Sequence, residues 1–308
     1  MVVEIVCIGG ANLDRKATCA RIRPGTSNPV RFRESPGGVA RNVSENLARL
    51  GSAVALISFV GEDRDGDFLL SHCQAAGVDV SRCQRLSGNP TGAYWAVMDT
   101  QGELQLALSD MAIYDEIRWE MLVPHASLMA SARLVFGDTN LPTVCLEQLA
   151  QAAARGEIRL IVDCVSVEKS KKLPGDLSGL TLLLGNQDEA REVLGWPVDS
   201  IADPALVRQA IQKRGLNRAV ITLGPDGVFF CEEGRHGLIP ALPVERVSDV
   251  TGAGDSFSAG LLSGLCRGLP LPEAVGLAQR LAALTLQSEF TVSPQVGPHC
   301  LIPEGTKP

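Results

Sequence analysis

Short runs of apolar residues alternate along this chain with segments in which apolar residues recur at helical spacing. Val2–Ile8 and Ala53–Val60 have the pattern of buried strands, and Val39–Leu50 and Gly66–Ala76 have that of helices. Four further apolar runs stand between helical patterns, at Arg133–Gly137, Leu160–Val165, Leu180–Leu184 and Ala219–Leu223. Strands that alternate with helices are typical of βαβ units. The pattern therefore predicts an α/β fold with a doubly wound, mostly parallel sheet flanked by helices.

Two regions interrupt this alternation. Leu13–Glu34 has little helical pattern and contains Pro24, Gly25 and Pro29, and Thr91–Leu108 alternates apolar and polar residues as strands do. Both regions predict antiparallel strands inserted into the α/β body. One hypothesis is that segments at about 13–34 and 91–108 form a small β-sheet lid over a site. The alternative is that they are edge strands of the main sheet.

The segment Asp249–Phe257 carries the clearest chemical signal. It places Gly252, Ala253 and Gly254 directly before Asp255, and a helical pattern of small and apolar residues follows. A tight turn that runs into a helix points several backbone N–H groups at one spot, where the helix dipole favours an anion. A carboxylate beside that spot can take a proton from an attacking hydroxyl, which suggests phosphoryl transfer. The structural alternative is a simple tight corner.

Polar residues also follow the first strand and precede the first helix. Asn12 and Asp14 come directly after the first strand, at the edge where doubly wound sheets bind ligands. Asp14 could accept hydrogen bonds from two sugar hydroxyls. Gly37 and Gly38 would let the backbone approach a ligand closely, and Asn42 would project from the first helical turn. The alternatives are an Asx turn after the strand and an ordinary helix N-terminus.

Two loops after later strands are further candidates. Asn186 opens a helix and Glu189 lies three residues on, so the pair predicts either a capping box or a site for phosphate and metal-bound water. Thr222, Gly224 and Gly227 predict either an ordinary β-turn or a loop that lines a nucleotide. The chain has no P-loop motif and no complete dinucleotide fingerprint, so a Rossmann dehydrogenase is not expected.

The composition narrows the class of protein. The 308 residues suit one large α/β domain, or one domain with a small appendage, and the 45% hydrophobic content is ordinary for a globular core. A formal net charge of −7 makes a nucleic-acid-binding surface unexpected. The nine cysteines form no Cys-x-x-Cys pair, the N-terminus lacks a basic signal region, and the apolar runs are short. These features predict a cytoplasmic protein that does not bind or span a membrane.

Together the motifs resemble those of the ribokinase-like (PfkB) sugar and nucleoside kinases. Gly37–Asn42 and Asp249–Phe257 are similar to the two signatures of that family, and Asn186 with Glu189 is similar to its magnesium and phosphate motif. The three motifs appear in the family's order and at its spacing. The resemblance covers nearly the whole chain, which is then one kinase domain over residues 1–308.

The resemblance implies an ATP-dependent kinase that uses Mg²⁺ and, as in many members, K⁺. Asp255 would be the catalytic base, and the N–H groups of Gly252, Ala253 and Gly254 would form an anion hole. The other residues would contact the sugar hydroxyls (Asn12, Asp14, Gly38, Asn42), Mg²⁺ and phosphate (Asn186, Glu189), the nucleotide (Thr222, Gly224, Gly227) and a monovalent cation (Asp249, Thr251). The lid would also join two copies in a homodimer, as in many relatives.

Shorter segments are similar to bacterial pseudouridine kinases, which use ATP to form pseudouridine 5′-phosphate. They lie at 26–29, 108–111, 137–140 and 162–166, with Lys169, although Cys164 stands where proline is expected. Ser27, Asn28 and Asn140 would then select the substrate. Ser27 and Asn28 could read the second imino N–H of a C-linked uracil, which uridine lacks. The alternative is a turn made by Asn28 and Pro29.

Two other functions stay open from the sequence. One is a ribokinase-like kinase for another nucleoside or for a free sugar. The other is a non-catalytic sugar-binding protein on the same scaffold.

Overall fold

An eight-stranded sheet forms the centre of the computed structural model, which describes residues 2–101, 103–195 and 204–302. The strands of the described residues are β1 (Ile5–Ile8), β2 (Asn12–Thr18), β3 (Arg31–Gly37), β4 (Val54–Ile57), β5 (Phe59–Gly61), β6 (Gln84–Leu86), β7 (Ala93–Met98), β8 (Leu104–Asp110), β9 (Leu134–Asp138), β10 (Leu160–Asp163), β11 (Leu182–Asn186), β12 (Arg218–Thr222), β13 (Val228–Glu232) and β14 (Arg235–Ile239). The α-helices there are α1 (Val39–Arg49), α2 (Arg64–Ala75), α3 (Trp119–Leu122), α4 (Ala126–Ser131), α5 (Thr143–Ala154), α6 (Val167–Ser170), α7 (Gln187–Leu194), α8 (Pro204–Lys213), α9 (Ala253–Cys266) and α10 (Leu271–Leu286). None of these helices has the length and apolar character needed to cross a membrane.

The main sheet has the strand order β14-β13-β12-β11-β10-β9-β1-β4. Neighbouring strands from β4 to β12 are parallel, and β13 and β14 are added antiparallel. The doubly wound, mostly parallel sheet is therefore confirmed. The predicted strand Ala53–Val60 is two strands, since β4 pairs with β1 in the main sheet and β5 leaves to pair with β6. Ser58 lies between them, and its hydroxyl donates to the Gly9 carbonyl oxygen at 2.6 Å.

Helices pack on both faces of the main sheet, so its central strands are buried on both sides. The core on one face includes residues of α5, α7 and α8 (Leu149, Val193, Ile211). The core on the other face includes residues of α1, α9 and α10 (Leu47, Leu261, Val275). Because α1 and α9 share a face, both can begin at the carboxyl edge of the parallel strands.

A second sheet, called the small sheet below, has the strand order β3-β2-β7-β8. The two interrupting regions thus pair with each other, and the prediction of edge strands in the main sheet is wrong. The expectation of purely antiparallel pairing is also wrong, because β2 and β7 are parallel while the outer pairs are antiparallel. Alternation along β2 places Asn12, Asp14 and Lys16 on one face and Arg15 on the other. That the small sheet closes over a site as a lid stays a prediction.

Candidate active site

Glycines allow α1 and α9 to begin in close contact with neighbouring backbone. Gly38 precedes α1 with a φ of +96°, and a Cβ there would lie 2.4 Å from the carbonyl oxygen of Gly10. Gly252 precedes α9 with a φ of +82°, and a Cβ there would lie 2.1 Å from the carbonyl oxygen of Thr291. A side chain at either position would be strained and would collide, so both positions require glycine.

The predicted anion hole lies at the turn before α9, and its binding of phosphate stays a prediction. The first amides of a helix have no intrahelical acceptor, and they attract anions. The Ala253 N–H donates only a long, 3.3 Å bond to the carbonyl oxygen of Val250. Gly254 is exposed, and a Cβ there would meet no atom within 4 Å. The space above Gly254 is therefore open to a ligand.

The predicted base, Asp255, lies in the first turn of α9 and faces α1. The side-chain amide of Asn42 donates a 2.6 Å hydrogen bond to Oδ2 of Asp255. The buried guanidinium of Arg41, paired with Glu45, donates to the amide oxygen of Asn42 and so leaves the Asn42 NH₂ for Asp255. Burial raises the pKa of Asp255 to about 6, although the bond from Asn42 and the charge of Arg41 oppose this. A carboxylate with this raised pKa is a better proton acceptor than an ordinary aspartate.

Asn12 and Asp14 lie within β2, not in an Asx turn after β1. The buried side-chain amide of Asn12 donates a 2.7 Å bond to Oδ1 of Asp14. Oδ2 of Asp14 lies over Gly37, where a Cβ would be 2.3 Å from that oxygen. Burial raises the pKa of Asp14, and the bond from Asn12 opposes the rise. The charge of Asp14 in turn raises the pKa of Asp255, so the structure brings these two predicted carboxylates together.

A buried carboxylate that the sequence analysis did not single out anchors this region. Asp138, at the end of β9, accepts hydrogen bonds from the backbone N–H groups of Gly10 (2.9 Å) and Ala40 (2.8 Å). Its other oxygen accepts from the backbone and the side-chain amide of Asn140, both at 2.9 Å. Asp138 thus fixes the N-terminus of α1 to the ends of β1 and β9. An acidic residue directly after an apolar strand pattern is the signal that could have identified it.

Asn140 borders a cavity that the sequence did not predict. The cavity has a volume of about 310 Å³ and is lined mainly by Ser109, Asp110, Met111, Asn140, Lys169 and Lys172. Lys169 Nζ donates a 2.5 Å bond to Oδ1 of Asn140, and burial lowers the pKa of Lys169. The cavity therefore lies between the end of the small sheet and the carboxyl edge of the main sheet, with an ammonium group at its wall.

Ser27 and Asn28 lie in the exposed loop between β2 and β3. The Asn28 side chain accepts from the Arg23 backbone N–H at 2.7 Å and donates to the carbonyl oxygens of Arg23 and Thr26. The Asn28 side chain thus closes the turn at Pro24 and Gly25, whereas the turn expected at Asn28 and Pro29 is not present. Among the residues that the structure describes, Ser27 and Asn28 do not line the cavity beside Asn140. Their role in reading a base stays a prediction.

A second cavity, of about 270 Å³, connects Asp255 with the predicted nucleotide residues. Its lining includes Asp163, Asn186, Glu189, Thr222, Gly254 and Asp255. Asp163 was not predicted as a site residue. Burial raises the pKa of Asp163 to about 8, repulsion from Glu189 adds to the rise, and the Ser258 hydroxyl bonds its Oδ2 at 2.9 Å. The structure therefore places three carboxyl groups around one space.

Asn186 and Glu189 form a complete capping box at the start of α7. Oδ1 of Asn186 accepts from the Glu189 backbone N–H at 3.0 Å, and Oε2 of Glu189 accepts from the Asn186 backbone N–H at 2.8 Å. Burial raises the pKa of Glu189. The capping alternative is thus confirmed, and the magnesium role stays a prediction.

The residues around the second cavity fit Mg²⁺. Within residues 2–101, 103–195 and 204–302, no three His, Cys, Asp or Glu side chains are close enough to hold a metal ion. Mg²⁺ is usually held by one or two carboxylates together with water and substrate phosphates. Glu189 supplies such a carboxylate at this cavity, with the amide of Asn186 beside it.

Thr222, Gly224 and Gly227 lie where β12 turns into β13. Thr222 ends β12 and lines the second cavity. Gly224 has a φ of +60° and Gly227 has a φ of +104°. A Cβ at Gly227 would also collide with the carbonyl oxygen of Ile239, at a distance of 2.2 Å. The two glycines are therefore required by the hairpin, and a contact with nucleotide is an additional prediction for this loop.

Asp249 and Thr251, the residues predicted to bind a monovalent cation, contact the ammonium group of Lys16. Lys16 Nζ lies 2.6 Å from Oδ2 of Asp249 and 3.1 Å from Oγ1 of Thr251. Lys16 comes from β2 of the small sheet, and the sequence analysis gave it no role. The two side chains therefore do not offer the predicted ion an unshared site.

Comparison with known proteins identifies the family of this chain. The model of the pfkB family carbohydrate kinases matches residues 3–296. A pseudouridine kinase of Escherichia coli K12 is 34% identical over 295 residues, which is 95% of this chain and 93% of that protein. A guanosine-inosine kinase of Exiguobacterium acetylicum is 28% identical, over 92% of this chain and 95% of that protein.

Solved structures include the same fold. The structure of Arabidopsis thaliana ribokinase complexed with ribose and ATP superposes with a TM-score of 0.84 and 20% identity, over 98% of this chain and 99% of that chain. The predicted ribokinase-like fold is therefore confirmed. From the family match over nearly the whole chain and the E. coli relative, this chain belongs to the pfkB family of carbohydrate kinases.

Proposed function

We propose that this protein transfers the γ-phosphoryl group of ATP to the 5′-hydroxyl of pseudouridine. Membership of the kinase family already makes it a phosphotransferase with an alcohol group as acceptor. The observation that carries the proposal is the position of Asp255. Asp255 lines the cavity that Asn186 and Gly254 also line, and it accepts a hydrogen bond from Asn42. The charge of Asp14 also acts on Asp255. A hydroxyl at this junction would meet both a base and an anion hole.

In this mechanism the chain's own residues bind, orient and move a proton. Asn12, Asp14, Gly38 and Asn42 hold the ribose so that its primary hydroxyl reaches Asp255. As the hydroxyl oxygen attacks the γ-phosphorus and ADP leaves, the carboxylate of Asp255 accepts the hydroxyl proton. The N–H groups of Gly252, Ala253 and Gly254 stabilise the charge on the transferring group. Mg²⁺ bound through Asn186 and Glu189 would neutralise phosphate charge, and Thr222, Gly224 and Gly227 would line the nucleotide.

Pseudouridine is favoured by the E. coli relative and by the cavity beside Asn140. Lys169 Nζ can donate to a carbonyl oxygen of uracil, since an ammonium carries three donors. Closure of the small sheet would bring the loop of Ser27 and Asn28 towards the base, where the loop would accept from the additional imino N–H. Uridine lacks this N–H, so its binding would leave a buried polar group of the loop unpaired and would be disfavoured.

A substrate panel tests this assignment. The purified protein is assayed with ATP and with pseudouridine, uridine, guanosine, inosine or ribose, and kcat/KM is compared. Pseudouridine is expected to be the best acceptor. If guanosine or inosine is preferred, the protein resembles its Exiguobacterium relative instead, and if no acceptor is phosphorylated, the non-catalytic alternative holds.

The pH dependence should report the ionisation of Asp255. Only the carboxylate form can accept a proton, so kcat/KM should fall as the pH falls through about 6. The bond from Asn42 lowers the pKa of Asp255, so Asn42→Ala should move this acid limb to higher pH. The measurement is kcat/KM across the acid and neutral range, with Asn217→Ala at the surface as the control. An unchanged limb in Asn42→Ala would contradict the assignment.

Gly254→Ala should separate catalysis from folding. A Cβ at Gly254 meets no protein atom, and the helix should gain about 0.5–1 kcal/mol in stability. The methyl group would enter the cavity beside the anion hole, so kcat/KM should fall about 10-fold or more. Thermal unfolding and steady-state kinetics on one preparation check both effects. Unchanged kinetics would show that the phosphoryl group does not approach this amide.

The face of the small sheet that carries Arg15 and Trp95 suits contact with a second copy of this chain. Leu104, Leu106 and Leu108 are exposed there, and Phe32 packs edge-on against Trp95 with ring centroids 5.7 Å apart. Exposed apolar patches mark interaction sites, and the family resemblance implies a dimer through this sheet. We expect a dimer in sedimentation velocity for the wild type and a monomer for Leu106→Asp. A monomeric wild type would contradict the proposal.

A further inference from the structure

An ion pair connects the small sheet with the loop that forms the anion hole. Lys16 Nζ lies 2.6 Å from Oδ2 of Asp249 and 3.1 Å from Oγ1 of Thr251, although 233 residues separate Lys16 from Asp249. The lysine and aspartate side chains are about one-third exposed, at 32% and 29%. The contact is therefore partly shielded from solvent. The two acceptors, Asp249 and Thr251, come just before Gly252 in the chain.

The loop is arranged around this ammonium. Oδ1 of Asp249 accepts from the backbone N–H of Thr251 at 2.8 Å and from its hydroxyl at 2.7 Å, while Oδ2 faces Lys16. Partial burial raises the pKa of Asp249, but the bonds from Lys16 and Thr251 together outweigh burial and leave a net lowering. Both carboxylate oxygens of Asp249 are therefore engaged within the chain, Oδ1 by Thr251 and Oδ2 by Lys16.

A second cation would be disfavoured at the same place. Any ion bound to Oδ2 of Asp249 would lie close to the Lys16 ammonium and be repelled by it. The residues present thus do not fit the K⁺ that the family resemblance implies at Asp249 and Thr251. The charge that such an ion would supply is already provided by Lys16.

We propose that Lys16 takes the place of the monovalent cation, so that phosphoryl transfer by this chain is independent of K⁺. Lys16 acts as a positioning residue: it holds Asp249 and Thr251, which fix the turn at Gly252 and thereby the N–H groups of the anion hole. Because Lys16 shares a face of β2 with Asn12 and Asp14, it also couples the sugar-binding strand to the anion hole. This inference rests on the proposed kinase function.

The test compares potassium chloride with tetramethylammonium chloride, whose cation is too large and too weakly coordinating to replace K⁺. Wild-type kcat/KM should be equal in the two salts. Lys16→Met should lose about tenfold in tetramethylammonium and regain most of that loss in K⁺ or NH₄⁺, since the freed Asp249 can then bind an ion. Lys171→Met removes an exposed lysine that is paired with Glu168 and should show neither effect.

A second readout separates this inference from the kinase proposal. The melting temperature of Lys16→Met should be lower in tetramethylammonium than in K⁺, while that of the wild type should not differ between the salts. This shift can be measured even if no acceptor is phosphorylated, in which case only the kinase proposal fails. Activation of the wild type by K⁺ overturns the inference, as does a Lys16→Met protein that no cation rescues. If Lys16→Met does not fold, the wild-type comparison and Lys16→Arg, which should stay independent of K⁺, decide the question.

Discussion

Asp255→Asn is expected to lower kcat by about 10²–10⁴-fold, the usual contribution of a general base. The substitution keeps the size of the side chain and its ability to bond Asn42, but an amide cannot accept the hydroxyl proton. The anion hole is formed by backbone N–H groups and should be preserved. ATP affinity should therefore change little.

Single-turnover phosphoryl transfer and calorimetric titration with ATP measure the two properties separately. Asp67→Asn is a matched control, because Asp67 also lies in the first turn of a helix, α2, but is exposed and remote from the cavities. Its kcat should equal that of the wild type. A nearly normal kcat for Asp255→Asn would remove Asp255 from the mechanism.

Asp138→Ala is expected to lower the free energy of unfolding by about 3–5 kcal/mol, because burying unsatisfied donors is strongly unfavourable. Asp138 is fully buried and accepts four hydrogen bonds, from Gly10, Ala40 and the two N–H groups of Asn140. Alanine would leave all four donors without their acceptor. The N-terminus of α1 would lose its fixed position, so Asn42 would also be displaced from Asp255.

Denaturant-induced unfolding measures this effect. Asp67→Ala removes an exposed carboxylate that is paired with Arg85, and it should change the free energy of unfolding by less than about 1 kcal/mol. Equal stability of Asp138→Ala and the wild type would show that water or another group satisfies these donors.

The sequence predicted the α/β architecture because its signals are local. The apolar runs that became β1, β9 and β12 are short and bounded by helical patterns, and the interrupting segments became a sheet of their own. The glycine turn before Asp255 was also readable, since a glycine pair before a carboxylate and a helical pattern is a local feature. The parallel pairing of β2 with β7 was missed because the direction in which two distant strands pair leaves no local pattern in the sequence.

The missing parts of the site are those that depend on contacts between distant residues. Asp138 lies in a segment of family resemblance and directly after a strand pattern, but its role arises from its hydrogen bonds to Gly10 and Ala40. Lys16 acquires its role only when β2 lies beside Asp249. Asp163 and Lys169 appear in a segment of family resemblance. That Lys169 lines the first cavity and Asp163 the second could be seen only in the folded chain.

The position of the transferred phosphate on the product tests directly whether this protein phosphorylates the 5′-hydroxyl of pseudouridine. Pseudouridine and MgATP are incubated with the protein, and the product is examined by phosphorus–proton correlation NMR. ADP is expected together with one further phosphorus signal that is coupled to the two 5′ protons of the ribose. Inorganic phosphate alone, or a phosphorus coupled to the 2′ or 3′ proton, would contradict it.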